Sequence, residues 1–236
     1  MELGIEVLPE NGPNTLAERI AAMRDRLASA AVRAGRASDS VTLVGVTKKQ
    51  PRDVVEDAIA CGLRDVAENY LQEARPKLAG IATVRKHFIG HIQTNKAKAI
   101  VETFDVVQSI DRIEAGRAIA RAALALGKPV RALVQINISP SDRYGVAPQD
   151  AVELARTLRD EGLDIAGVMA IGPNSENRAE LAEAFALAAR TFAAVGGDTL
   201  SIGMSGDYDE AIASGSTMVR IGTAVFGSRT TSEGGL

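Results

Sequence analysis

The sequence predicts a single α/β domain, a closed (β/α)8 TIM barrel with one extra helix on its N-terminal side. Val-rich apolar runs of strand length alternate with stretches of helical periodicity, and Gly, Pro or polar clusters mark each switch. The alternation continues until eight strands have been passed, the number that closes a parallel barrel. The first strand lacks the G-x-G-x-x-G turn of a dinucleotide-binding sheet, and no G-x-x-x-x-G-K-[ST] loop occurs, so an open doubly wound sheet is the weaker alternative.

Residues 1–13 read as a flexible leader and residues 14–236 as the barrel domain. Asn14 or Thr15 caps a first helix in which Leu16, Ile20, Met23, Leu27 and Ala30 or Ala31 recur at spacings of three and four, and Gly35 ends it. From Val41 the chain is almost continuously apolar, as a parallel strand covered on both faces must be, and Thr47, Lys48, Lys49, Gln50 and Pro51 close the run. Residues 53–61 form a short amphipathic helix stopped by Gly62, and residues 63–70 a second strand with a polar end. The same unit repeats as helix 71–78 and strand 86–92, helix 94–102 and strand 104–111, and Ala-rich helix 112–126 and strand 129–139. After a polar loop, SPSDRYGVAP, come helix 149–160, strand 163–172 with Gly167 placed for close packing, and helix 176–194. Strand 199–205, a short helix over 207–213 and strand 217–227 complete the count.

Composition narrows the function. A formal net charge of -3 gives no basic footprint for nucleic acid. No Trp, three Tyr and five Phe suit helices packed closely on a parallel sheet. The single cysteine, Cys61, has no internal partner and lies on an apolar helix face, which makes it a packing residue in a reducing, cytoplasmic setting. No basic-then-apolar leader is present, and no segment approaches the roughly 18 uninterrupted apolar residues of a membrane span, so a soluble protein is expected.

In such a barrel the strand ends share one mouth, and polar residues gather there whatever their separation in sequence. Lys48 ends the first strand in phase with Val44 and Val46, a phase that Lys49 does not share. The second strand ends in Glu68, Asn69 and Tyr70, and His91, Ser109, Asp111 and Asn137 follow from the next three. His87 reads as a satisfied polar histidine and His91, nearer the strand end, as a pocket residue, without a third ligand spaced for a metal. GMSGD, with Met204 and Ser205, precedes a helix, and RIGTAVFG places Gly222 and Thr223 at the end of the last strand. Barrels often hold phosphate between these two loops, although the glycines equally suit tight turns. A lysine facing a phosphate site suggests pyridoxal 5'-phosphate (PLP), and Arg220 is placed to meet its pyridine nitrogen. A guanidinium donates and cannot take up the ring proton, so the ring would be a weak electron sink.

VTKKQP, AENY, HFIGHIQTNK, VQINIS, GVMAIGP, GMSGD and GSTMVRIGTAVFG, in this order, resemble the pyridoxal phosphate homeostasis protein family, small PLP-binding proteins similar to the N-terminal barrel of alanine racemase. The resemblance spans roughly residues 41–229. It implies that Lys48 is the Schiff-base lysine, that Ser205 with the backbone around Met204, Gly222 and Thr223 holds the phosphate, that Arg220 faces the ring nitrogen, and that Asn69 lies beside the cofactor. Ala67 and Ile202 depart from the family pattern as modest packing changes. Arg143-Tyr144-Gly145 stands where a lysine-containing turn is frequent in the family, so the family role of that lysine does not carry over directly, although Arg143 keeps the charge.

Two functional readings follow, with a third behind them. A non-catalytic carrier that masks PLP as an imine and contributes to vitamin B6 homeostasis fits an arginine-paired ring, and the resemblance extends its effects indirectly to amino-acid and keto-acid balance. Apo PLP-dependent enzymes are then the recipients, with no nucleic-acid or membrane partner, and a monomer and a weak homodimer both stay open. A PLP-dependent amino-acid racemase needs a second base, which relatives of this kind take from a C-terminal β-domain not expected in a chain ending at Leu236; Tyr70 and Tyr144 are the available substitutes. An aldolase-type Schiff base on a sugar phosphate ranks last.

Overall fold

A computed structural model describes residues 15–139 and 144–227. The expected leader, Asp142 and Arg143 lie outside the described residues. Eight parallel strands close in sequence order, β1 pairing with both β2 and β8. They are β1 Thr42–Val46, β2 Asp65–Glu68, β3 Arg85–Phe88, β4 Val106–Ile110, β5 Arg131–Ile136, β6 Asp164–Ala170, β7 Thr199–Ser201 and β8 Met218–Ile221. The surrounding helices are α1 Leu16–Arg33, α2 Arg52–Ala60, α3 Leu71–Leu78, α4 Ala97–Thr103, α5 Ile113–Leu126, α6 Ala151–Asp160, α7 Arg178–Val195, α8 Tyr208–Ala213 and α9 Thr223–Phe226.

The extra helix α1 starts at a capping box: Thr15 Oγ1 accepts from the Glu18 N–H at 3.2 Å and Glu18 Oε2 accepts from the Thr15 N–H at 3.0 Å. Its stripe of Ile20, Met23, Leu27, Ala30 and Ala31 is buried against α2, α8 and α9, over the seam where β8 returns to β1. Arg19 Nε reaches the Val225 carbonyl at 2.7 Å and Arg36 Nη1 the Ser216 carbonyl at 2.6 Å, fastening that seam.

Alternation along the strands makes two cores. Val66, Val107, Val134, Val168, Leu200 and Val219 face the helices and join the main core there. Val44, Ala67 and Met218, with Val46 and Ile89, and separately Leu133, Ala166 and Met169, form smaller inner clusters. In β6 the inward residues Ala166 and Met169 are three apart because the register slips at Gly167. Its φ of +150° and a Cβ position only 2.0 Å from the Thr199 carbonyl oxygen require glycine there.

The strands are shorter than periodicity suggests, and three of them stop where the backbone turns into the mouth. β3 ends at Phe88 because Gly90 passes so close to Asn69 that a Cβ would lie 1.9 Å from its carbonyl oxygen. β7 stops before Gly203, whose φ is +98°. The last expected strand does not run to Gly227: Gly222, at φ -108° and ψ -82°, turns the chain, and the Val225 and Phe226 amides bond to its carbonyl to form α9.

Candidate functional site

The turn after β1 that carries Lys48 is held from below by a buried polar cluster. Thr47 Oγ1 donates to Glu68 Oε1 at 2.6 Å, and Lys77 Nζ, reaching up from α3, donates to the Thr47 carbonyl at 2.8 Å, to Glu68 Oε1 at 2.7 Å and to Glu73 Oε1 at 2.5 Å. Glu73 also accepts the Lys49 N–H, which stabilises Lys49 in a left-handed conformation at φ +64°. Residues on both sides of Lys48 are thus clamped, and Lys48 itself is partly buried two positions beyond Val46, which packs on the inner cluster. Glu68, expected at the mouth, lies instead in the layer between barrel and helices, since Ala67 takes the inward position. Its burial pushes the carboxyl above the ordinary range, against the opposing pull of Lys77 and Thr47.

The loops after β7 and β8 meet beside this turn. Ser205 is partly buried, and its Oγ accepts the Ala224 N–H at 3.5 Å, linking one loop to the start of α9. Gly222 stands next to Val46, and Thr223 is exposed. Neither Gly206 nor Gly222 is demanded by the protein: neither has positive φ, a Cβ at Gly206 would meet nothing within 4 Å, and one at Gly222 would find its nearest atom at 3.7 Å. The room at Gly222, beside the Ser205–Ala224 link, is a cradle of small groups whose form suits an anion. Met204, also expected here, is 37% exposed and its N–H is already taken by Asp207 Oδ1 at 2.5 Å. Its part is in shaping the loop. Burial raises the Asp207 carboxyl above its usual range although the Met204 amide and the Arg220 charge pull it down.

Arg220 does not occupy a rim ion pair. It pairs in register with Val44, is 4% exposed, and has no carboxylate within ion-pair distance among the described residues. Nη1 donates to the Ser201 carbonyl and to Ser201 Oγ, both at 2.7 Å, and Nη2 to the Ala170 carbonyl at 2.8 Å. Burial lowers its pKa to about 10, with Asp207 opposing the shift, so the group stays a cation at neutral pH.

Asn69 and His91 follow β2 and β3, the next two strands after β1 in the barrel. Asn69 Oδ1 is buried and has no hydrogen-bond partner among the described residues, which leaves an acceptor for a ligand or a water. The His91 ring stacks on Tyr144 with centroids 4.4 Å apart, and its Nδ1 is 3.5 Å from Asp111 Oδ2. A cavity of about 830 Å³ opens between His91, Asp111, Gln135, Asn137 and Tyr144. The structure therefore places Lys48, Ser205, Gly222, Thr223 and Arg220 on the consecutive strands β7, β8 and β1 and the loops that follow them, with Asn69 and His91 after the next two strands, β2 and β3. Gln108, Asp207 and Gln135 were missed. A glutamine at an inward phase of an apolar strand, as in VVQSI and ALVQI, was the available signal for two of them. An amine, a permanent cation and an anion cradle in one mouth can hold a molecule bearing a carbonyl, a hydrogen-bond acceptor and a phosphate.

Residues 19–230 match the family model described as alanine racemase, N-terminal domain. Over 222 residues the chain is 41% identical to the pyridoxal phosphate homeostasis protein of Pseudomonas aeruginosa, covering 92% of this chain and 96% of that one. It is 38% identical over 230 residues to the protein of the same name from Escherichia coli, at 92% and 97% coverage. Among solved structures, PipY of Synechococcus elongatus with PLP bound superposes with a TM-score of 0.80 at 31% identity, covering 90% of this chain and 100% of that one. An alanine racemase from Clostridium difficile, 15% identical, shares the fold with a TM-score of 0.67 over 89% of this chain and 58% of its own.

Proposed function

The chain belongs to the pyridoxal phosphate homeostasis protein family, built on the alanine racemase N-terminal domain, and on that premise we propose that it binds PLP through Lys48 and holds it as a reservoir. When bound, PLP supplies an aldehyde for an amine, a ring nitrogen that accepts a hydrogen bond, and an anionic phosphate. The observation that carries the reading is the placement of three matching groups on β7, β8 and β1: the Ser205, Gly222 and Thr223 cradle, Arg220, and Lys48. Lys48 would form the Schiff base, the cradle would hold the phosphate, and Arg220 would donate to the ring nitrogen. Asn69 and His91 would line the remaining side.

A carrier role is supported by the character of Arg220. An acid in its place would share a proton with the ring and favour carbanion chemistry; a buried guanidinium only donates, and leaves the ring nitrogen unprotonated. The relatives are named for homeostasis, in keeping with a protein that stores PLP and passes it to apo-enzymes in a reducing cytoplasm, as a monomer or weak homodimer. The alternative, a racemase, draws on Tyr144, 64% exposed at the mouth, as a second base.

The test is an absorption spectrum of the purified protein, borohydride reduction with peptide mass mapping, and incubation with L-amino acids. A reducible adduct on Lys48 without turnover is expected. Lys48→Ala should lose that adduct and keep weaker binding through the cradle. Racemised amino acid would establish the enzyme instead, and an adduct that persists in the Lys48 variant would sink the assignment.

A further inference from the structure

Across the barrel interior runs a set of buried polar residues that the proposed PLP contacts leave unused. Asp65 on β2, His87 on β3, Gln108 on β4 and Ser201 on β7 are each no more than 5% exposed. They connect in a line: His87 Nε2 is 2.9 Å from Asp65 Oδ1, Gln108 Nε2 is 2.8 Å from His87 Nδ1, Ser201 Oγ is 2.7 Å from Gln108 Oε1, and Arg220 Nη1 is 2.7 Å from Ser201 Oγ. The line begins near the bottom of the barrel, where Arg85 Nε lies 3.4 Å from Asp65 Oδ1, and ends at the guanidinium below the mouth.

Chemistry orients every proton along it. Arg220 has no acceptor, so Ser201 Oγ receives a proton from it and must give its own to Gln108 Oε1. The amide then faces His87 with its NH2, which makes Nδ1 the acceptor and puts the ring proton on Nε2, aimed at the Asp65 carboxylate. Reversing the amide would place a proton on both nitrogens of His87, or one on Asp65. Burial holds the His87 pKa below its ordinary value even with Asp65 beside it, which opposes the charged ring. A cation at one end and a carboxylate at the other polarise all the bonds in one sense, so they reinforce each other.

We propose that Asp65, His87, Gln108 and Ser201 form a one-way hydrogen-bond relay that holds the Arg220 guanidinium in a single orientation, making Gln108 and His87 positioning residues for the cofactor ring. The ring contact rests on the PLP reading above, whereas the effect on Arg220 itself does not. Among the described residues Nη1 and Nη2 take all the guanidinium's hydrogen bonds, so the relay fixes the plane in which the Nε proton and the second Nη2 proton are presented.

The test compares Gln108→Leu, which cuts the relay at nearly constant volume, and Ser201→Ala, which removes one oxygen, with Val107→Ala, a core deletion facing the helices. In apo protein carrying isotope-labelled arginine, wild type and Val107→Ala should show distinct, exchange-protected Arg220 Nη resonances, and both relay variants should show averaged ones. In PLP-loaded protein the relay variants should keep the Lys48 adduct but shift its absorption band and release PLP about tenfold faster, the worth of one charge-assisted hydrogen bond. Unchanged resonances, band and release in a folded relay variant would overturn the relay, as would the same changes in Val107→Ala. Should Gln108→Leu fail to fold, Ser201→Ala decides in the same way. If wild type forms no Lys48 adduct, the PLP reading fails and the apo resonances alone decide: averaged in the variants upholds the relay, unchanged overturns it.

Discussion

Taking a guanidinium out of water costs several kcal/mol, and at Arg220 the three hydrogen bonds to Ser201 and Ala170 offset part of this. The residue remains a cation because its pKa falls only to about 10. His87 answers the same burial by staying neutral, and that choice is measurable. Its folded pKa lies below the ordinary 6.5, so as pH falls through 6.5 the unfolded chain takes up a proton before the folded one does. Stability therefore drops from that point until the folded pKa is reached, by up to about 1.4 kcal/mol per pH unit. Glu68 and Asp207, whose folded pKa values are raised, act in the opposite sense, because stability they contribute at low pH is lost as pH rises through those values. The difference between wild type and His87→Gln isolates the histidine: wild type should lose urea midpoint relative to the variant below pH 6.5. A gap that stays constant with pH would show that His87 takes up its proton over the same pH range in the folded and unfolded chains, contrary to its burial lowering the pKa.

At the scale of the element, the loops that follow the strands decide the site. The β1 turn is rigid because the side chain of Lys77 spans from α3 to the Thr47 carbonyl and two carboxylates. The glycines of the other loops divide by physical cause. Gly90→Ala would force a methyl to within 1.9 Å of the Asn69 carbonyl oxygen, so the β2 and β3 loops must separate, at a cost of about 2 kcal/mol or more in urea unfolding, and Asn69 would leave the mouth. Gly222→Ala meets nothing closer than 3.7 Å and has no positive φ, so stability should change by less than about 0.5 kcal/mol while PLP affinity falls at least about tenfold. Equal effects of the two substitutions on stability would mean that Gly222 serves the backbone, as a tight-turn reading of RIGTAVFG allows.

At the scale of the whole molecule, the first and last strands are neighbours, and the proposed site draws Lys48 from one and Arg220 and Gly222 from the other. Ligand held across that seam should stabilise the barrel as a unit. With free PLP at one hundred times Kd and no affinity for the unfolded chain, the gain is about 2.7 kcal/mol, read as a rise in urea midpoint that Lys48→Ala reduces. No rise in wild type at saturating PLP would contradict binding across the seam. The order of the eight strands, helices α1 to α8 and a cap for α1 at Asn14 or Thr15 were legible in the sequence, because each depends on periodicity and turn residues within a few positions, whereas α9, where a strand was expected, was not. Strand ends at Phe88, Ser201 and Ile221 were not, since they depend on where another segment crosses close by. Nor was Glu68's turn away from the mouth, or the meeting of Asp65, His87, Gln108, Ser201 and Arg220. The sequence by itself determined that polar residues would sit at inward phases of apolar strands; only closure of the barrel, through register and shear between strands far apart in the chain, decided which of them face one another and in which direction their protons run.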